Sequence, residues 1–260
     1  MIGVIGMGKL GSSLAASLAA SGAEVTGIDR SEKMNEFIDP CDLLFLALPD
    51  DAIEEFAQGH LWRGKKIVHC SGALGLEVLE KARQDGALVG SFHPMQAFRG
   101  PKTSWQGIAV NVSAEAPLEA ELFFLAEALG ALPQAVRAEQ KIFVHLAASL
   151  LSNFSFTLFE KAKKVFAKAG FSSEEAERAL RPLLQGTIDN SSLTGPIARG
   201  DVGTIRKHLD CLRESFPEEV DFYRCLSEAT LLLTKEDLPT TRAEEIAALL
   251  RGEEIFCERC

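Results

Sequence analysis

The chain has 260 residues, 27 Lys plus Arg against 37 Asp plus Glu for a net charge of −10, and 47% hydrophobic residues. This composition excludes intrinsic disorder and fibrous repeats, and the negative charge argues against a protein that coats nucleic acid. The length suits one large domain or two modest ones, each with its own core.

In chain order, residues 2–6 read as a short apolar strand, 9–21 as a helix rich in Ala and Leu, and 24–29 as a second strand, which together make one βαβ unit. Strand 43–48, helix 52–58, strand 66–71, helix 76–84 and strand 88–93 continue the alternation. Strand 107–112, helix 117–129 and a short strand near 134–136 close the segment. Strands this uniformly apolar belong in a buried parallel sheet, and sequential βα units predict a doubly wound α/β fold with right-handed crossovers. The pattern changes after Arg137, where strands stop. Residues 1–137 are therefore expected to form a doubly wound α/β domain, and 138–260 an all-helical domain.

The helical half divides into 139–169, 173–188, 202–214, 218–234 and 241–251. Ser172 with Glu175, and Thr241 with Glu244, have capping-box spacing, and Asp201 is placed to cap the helix that follows it. Pro182 is expected to bend the second of these helices.

Three further features bear on location. No consecutive apolar run approaches the roughly 18 residues that span a bilayer. The first strand is expected to follow Met1 at once, so no signal peptide is expected. Six sparse cysteines, Cys41, Cys70, Cys211, Cys225, Cys257 and Cys260, suit a reducing cytoplasm better than a disulfide framework. Cys257 and Cys260 form a CxxC without a second ligand pair, so no metal is expected. A cytoplasmic protein with no membrane or nucleic-acid partner is the expectation.

The strongest chemical signal is GMGKLG at 6–11, between an apolar strand and a helix, with Asp29 ending the second strand 18 residues after the last glycine. Gly6 permits the tight turn, Gly8 lets backbone approach a pyrophosphate, and Gly11 lets the helix pack closely on the sheet. Lys9 and Leu10 open the helix, whose free amides and positive end face the phosphates. Asp29 suits the adenosine ribose hydroxyls of NAD, whereas Arg30 and Ser31 suit the 2′-phosphate of NADP. The balance leans to NADP.

Three segments carry a family resemblance: GMGKLG, the run HPMQAF at 93–98, and LTGPIARGD at 193–201. Together they resemble the Rossmann-like family with a C-terminal domain of unknown function, over nearly the whole chain. That family is similar to the group of 6-phosphogluconate dehydrogenase, ketopantoate reductase and pyrroline-5-carboxylate reductase, in which a nucleotide domain meets a helical domain that often dimerises. The resemblance implies an NAD(P)-dependent oxidoreductase of small molecules and a homodimer, without naming the substrate. HPM also resembles a run in prephenate dehydrogenases whose histidine touches substrate, which implies that role for His93.

Ligands of open α/β sheets sit at the carboxyl ends of strands, where Pro49, Ser71 and His93 fall. Pro49 is expected to shape the loop beside the nicotinamide ribose, and Ser71 to contact nicotinamide or substrate or to serve its own turn. On the first long helix, His145, Ser149, Ser152 and Asn153 lie at about 40°, 80°, 20° and 120° from Lys141, so they form a polar stripe on a helix apolar elsewhere. Such a helix is expected to be buried, with its stripe facing a cleft. In the group this chain resembles, that helix presents a Lys and an Asn one turn apart. Here Ser149 precedes Asn153, which leaves His145 or Lys141 to move the proton. Arg199 is placed either to grip a substrate carboxylate or to pair with an acidic side chain across a dimer. The other reading is a nucleotide-binding sensor or assembly protein without catalysis.

Overall fold

The computed structural model describes residues 1–29, 33–190 and 192–253. It divides into two compact units, Met1–Lys161 and Ala162–Cys260.

The first unit is built on a seven-stranded sheet of β1 (Ile2–Ile5), β2 (Val25–Ile28), β3 (Leu43–Leu46), β4 (Lys66–His69), β5 (Leu88–Pro94), β6 (Ala109–Ala114) and β7 (Leu132–Ala135), in the order β2-β1-β3-β4-β5-β6-β7. Around it lie α1 (Lys9–Ala20), α2 (Met34–Ile38), α3 (Asp50–Gln58), a 3-10 turn (Leu76–Leu79) running into α4 (Glu80–Gln84), and α5 (Leu118–Ala128). Alternate residues of the central strands enter opposite cores. On β3, Leu43 and Phe45 pack with Leu14, Leu18, Leu118 and Leu122 on one face, while Leu44 and Leu46 pack with Ile38, Ile53, Trp62 and Leu79 on the other. That two-sided burial is why these strands are apolar throughout.

The doubly wound α/β class is as expected, with two local differences. First, β6 runs antiparallel to β5, pairing His93 with Asn111. The segment between them contains no helix, so there is no crossover to return the chain for a parallel pairing. Second, α2 was not expected, since five residues are too few to show helical periodicity.

The strands end at Ala135, just before residue 137, but the compact unit extends through α6 (Ala138–Ser149) and a π turn (Leu150–Phe154) into α7 (Ser155–Lys168). Two expectations about this helix need correction. Its apolar faces are exposed rather than buried, with Phe143 71% and Leu151 69% accessible. Taken whole, Ala138–Lys168 is also long and apolar enough, by length and composition, to cross a membrane. Counting consecutive apolar residues missed this because Ser, His and Asn interrupt the run without much lowering the average hydropathy.

The second unit contains α8 (Ser173–Asp189), α9 (Val202–Ser215), a 3-10 turn (Pro217–Glu219), α10 (Val220–Thr234) and α11 (Thr240–Arg251) around a core of Ile205, Leu209, Leu231, Ile246 and Leu250. Ser172 and Glu175 form their capping box, and Asp201 accepts the Thr204 amide at 3.0 Å. Thr241 does not cap α11. The helix starts one residue earlier, after Pro239, whose fixed φ suits the entry to a helix. Pro182 lies inside α8 without ending it.

Candidate functional site

All five strands from β2 to β5 are parallel, so their carboxyl ends share one edge of the sheet, and the strand order reverses at β1. The glycine loop leaves β1 at that reversal. Gly6 has φ +94, and a Cβ there would sit 2.5 Å from the Ala47 carbonyl oxygen, so only glycine fits the turn. A Cβ on Gly11 would run into the Gly6 carbonyl, which explains the close packing of α1. Gly8 is different: its Cβ direction is open, and as the residue preceding α1 it offers no side-chain cap. The first turn of α1 therefore presents uncapped amides and the positive end of the helix to an open space, a cradle fitted to phosphate. Lys9 is exposed there and Leu10 half-buried.

Asp29 directly follows β2 and its Oδ1 accepts the Met7 amide at 2.6 Å, which ties the loop to the second strand. Pro49 is the extended residue preceding α3, at the end of β3. Arg30 and Ser31, the expected readers of a 2′-phosphate, lie outside the described residues, as do Cys257 and Cys260.

A second cluster lies at the ends of β4 and β5. Lys141, on α6, is only 4% exposed. Its Nζ donates to the Ser91 hydroxyl at 2.8 Å and to the Ser71 carbonyl at 3.3 Å. Burial lowers its pKa to about 8 although Glu77 and Asp50 favour the charge. One turn on, His145 stands edge-on to His93, with ring centroids 5.9 Å apart. Its Nδ1 is buried without a hydrogen-bond partner. Burial, with His145 and Lys141 nearby, lowers the His93 pKa to about 4, so the ring is neutral near pH 7.

Gly72 lies between the two histidines. A Cβ on it would be 2.6 Å from both His93 Nε2 and His145 Nδ1. Ser71 is held by its own turn: its Oγ accepts the amides of Ala73 and Leu74, and its amide donates to His69 Nδ1 at 3.2 Å. His69 is fully buried with Nε2 3.1 Å from the Gly75 carbonyl, and burial lowers its pKa to about 3, in keeping with a structural role.

The structure thus brings together Lys141, His145, His93 and Ser71. Asn153 is not among them: it is exposed, and its Oδ1 accepts from the adjacent Ser152 hydroxyl at 3.4 Å. Distance along the helix is the reason. Asn153 is 12 residues beyond Lys141, about 18 Å along the helix axis at 1.5 Å per residue, so sharing a face does not bring it to the cluster. In the second unit, Arg199 is exposed and donates to the Thr194 carbonyl of its own loop. Sequence reasoning passed over Gly72, Asn111 and Gln134. Asn111, a polar residue inside the apolar strand AVNVSA, was the signal available.

Residues 1–86 match the model for the NAD binding domain of 6-phosphogluconate dehydrogenase. Residues 108–230 match a domain of unknown function, DUF2520. Among solved structures the chain is similar to a Bacteroides fragilis protein described as an NADP oxidoreductase, with 24% identity, 88% of this chain and 96% of that one covered, and a TM-score of 0.71. A Thermotoga maritima protein matches at 20% identity over 97% of each chain, with a TM-score of 0.64. A reductive aminase from Aspergillus terreus, in complex with NADPH and ethyl levulinate, matches at 17% identity over 96% of this chain and 92% of that one, with a TM-score of 0.60. Among curated proteins no relative matches. At these identities the likenesses establish the fold.

Proposed function

Because the chain joins an NAD binding domain of the 6-phosphogluconate dehydrogenase kind to a DUF2520 domain, we propose that it is a nicotinamide-dependent oxidoreductase acting on a small molecule. The observation that carries this reading is the placement of the open glycine cradle and the Lys141–His145–His93 cluster on the same carboxyl edge of one sheet. From β1 to β5 is three strand spacings, roughly 14 Å.

When bound, the nicotinamide supplies or accepts a hydride. The chain's own residues do the rest. Gly6, Gly8, Lys9, Leu10 and Gly11 form the phosphate cradle, Asp29 holds it to β2, and Pro49 shapes its far wall. Lys141 joins the turn after β4 to β5 and so fixes Gly72 between the histidines. His145 moves the proton, since its Nδ1 is free whereas the Lys141 ammonium is engaged on two oxygens. NADP is favoured over NAD because proteins of similar fold include an NADP oxidoreductase and a reductive aminase in complex with NADPH. We further propose a homodimer, in which a second copy covers the exposed apolar face of α6 and the π turn. A monomer would leave Phe143, Leu146, Leu151 and Phe154 in water.

The test is a titration of the purified protein with NADPH and NADH, followed by nicotinamide fluorescence, with Gly8→Asp as control. A Cβ at this position has no atom within 4 Å, and the substitution brings a carboxylate to the cradle. Saturable binding lost in Gly8→Asp supports the reading. Failure of the folded wild type to bind either nucleotide refutes it.

A further inference from the structure

His93, Asn111 and Gln134 are register partners across three adjacent strands: His93 pairs with Asn111 between β5 and β6, and Asn111 with Gln134 between β6 and β7. Their side chains are joined in the same order. Gln134 Nε2 donates to Asn111 Oδ1 at 2.5 Å, and Asn111 Nδ2 lies 3.3 Å from His93 Nδ1. Asn111 is buried, and with its oxygen engaged by Gln134 it offers the histidine only N–H. A neutral imidazole facing a donor must turn a lone pair to it, which leaves its proton on Nε2.

That Nε2 faces the gap bared by Gly72, and the unpartnered Nδ1 of His145 faces the same gap. Each is 2.6 Å from the point a Gly72 Cβ would occupy, so they are no more than about 5.2 Å apart. One oxygen making two hydrogen bonds of about 2.8 Å spans such a distance.

Resting on the oxidoreductase reading above, we propose that the Gln134–Asn111 relay fixes His93 as a neutral Nε2–H donor, that His145 carries the exchanged proton, and that the substrate is a carbonyl compound or its alcohol. The class follows from counting lone pairs. A carbonyl oxygen has two, one for His93 Nε2–H and one for the proton on His145 Nδ1. An imine nitrogen has one, and would leave one of the two donors unmet in the buried gap. In reduction the carbonyl carbon takes the hydride of the reduced nicotinamide and the C=O π pair takes the His145 proton. The products are an alcohol, oxidised nicotinamide and a neutral His145; oxidation reverses each transfer. The other ionisable groups around His93 are Lys141, Asp50 and His69. Asn111 and Gln134 act through His93 and are positioning residues.

The tautomer is read directly by long-range 1H–15N correlation on histidine-labelled, nucleotide-free protein, which has five histidines to assign. His93 in the wild type is expected to be protonated on Nε2. In Gln134→Glu, at an exposed site, the carboxylate accepts only. Asn111 must then turn its nitrogen outward and its oxygen to His93, moving the ring proton to Nδ1. With NADPH and matched ketone and cyclic-imine panels, wild type is expected to turn over ketones. Gln134→Glu should lose on the order of 10²-fold in ketone kcat with unchanged NADPH affinity. Protonation of His93 on Nδ1 in wild type, an unaltered tautomer in Gln134→Glu, or turnover of imines without ketones overturns the proposal. Failure to bind nucleotide would refute the oxidoreductase reading while leaving the measured tautomer to decide the relay.

Discussion

Lys141→Met should change how the protein's stability depends on pH, in a window set by the lysine itself. The ammonium is 4% exposed, and its pKa falls from 10.5 to about 8, chiefly through burial. Below pH 8 both folded and unfolded chains hold the proton, and the cost of burying the charge is fully present. Between pH 8 and 10.5 the unfolded chain binds more protons than the folded one, so stability rises with pH. At about 1.4 kcal/mol per unit, the rise attributable to Lys141 is about 3 kcal/mol. The methionine has no such step. It leaves the Ser71 carbonyl and the Ser91 hydroxyl without their donor, an offset of about 1–3 kcal/mol that does not vary with pH. Urea unfolding of both proteins from pH 7 to 10.5 gives the difference curve directly, and other lysines and tyrosines cancel in it. Wild type should gain about 3 kcal/mol on the variant across the window. A difference that stays flat would show that Lys141 is not buried as a charge, and the argument from its cost would fall.

Three further outcomes are expected. His145→Ala should abolish turnover and leave NADPH affinity intact in the same fluorescence titration; a fully active variant would remove His145 from proton transfer. Gly72→Ala puts a methyl group 2.6 Å from both histidine nitrogens, so kcat should fall by about 10²-fold with little change in nucleotide binding. Replacing Phe143 and Leu151 together by Ser should convert a dimer to monomer in light scattering after gel filtration, and a wild type already monomeric at micromolar concentration would refute the dimer.

The glycine loop and its flanking elements could be read from the chain because every part is local: strand, three spaced glycines and helix lie within the first 20 residues. Lys141 and His145 were legible for the same reason, being four apart on one α-helix, whereas Asn153 shares their face but lies about 18 Å along the axis from Lys141, a distance that an angular projection does not record. The antiparallel course of β6 was hidden because an apolar strand has the same period in either direction. Exposure of α6 was hidden too, since composition records that a helix wants cover without saying what supplies it. Gly72, Asn111 and Gln134 belong to another category. Their significance arises from register across β4 to β7, and no spacing along the chain reveals which residues stand opposite one another.

That distinction bears on whether the protein is an enzyme or a nucleotide sensor. A sensor needs the cradle, and every feature of the cradle is explained by phosphate and backbone geometry. It has no use for an ammonium buried at a cost of about 3 kcal/mol, nor for a histidine nitrogen left without a partner beside a second, neutral histidine. Apolar residues in those places would make a more stable protein. Groups held at such cost at the carboxyl edge of the sheet, on residues the cradle does not require, have the distribution expected of proton-transfer chemistry. The relay sharpens the point. A buried asparagine amide joining an edge-strand glutamine to one nitrogen of a histidine is needless if that histidine only fills space. It has a purpose if the position of a single proton matters.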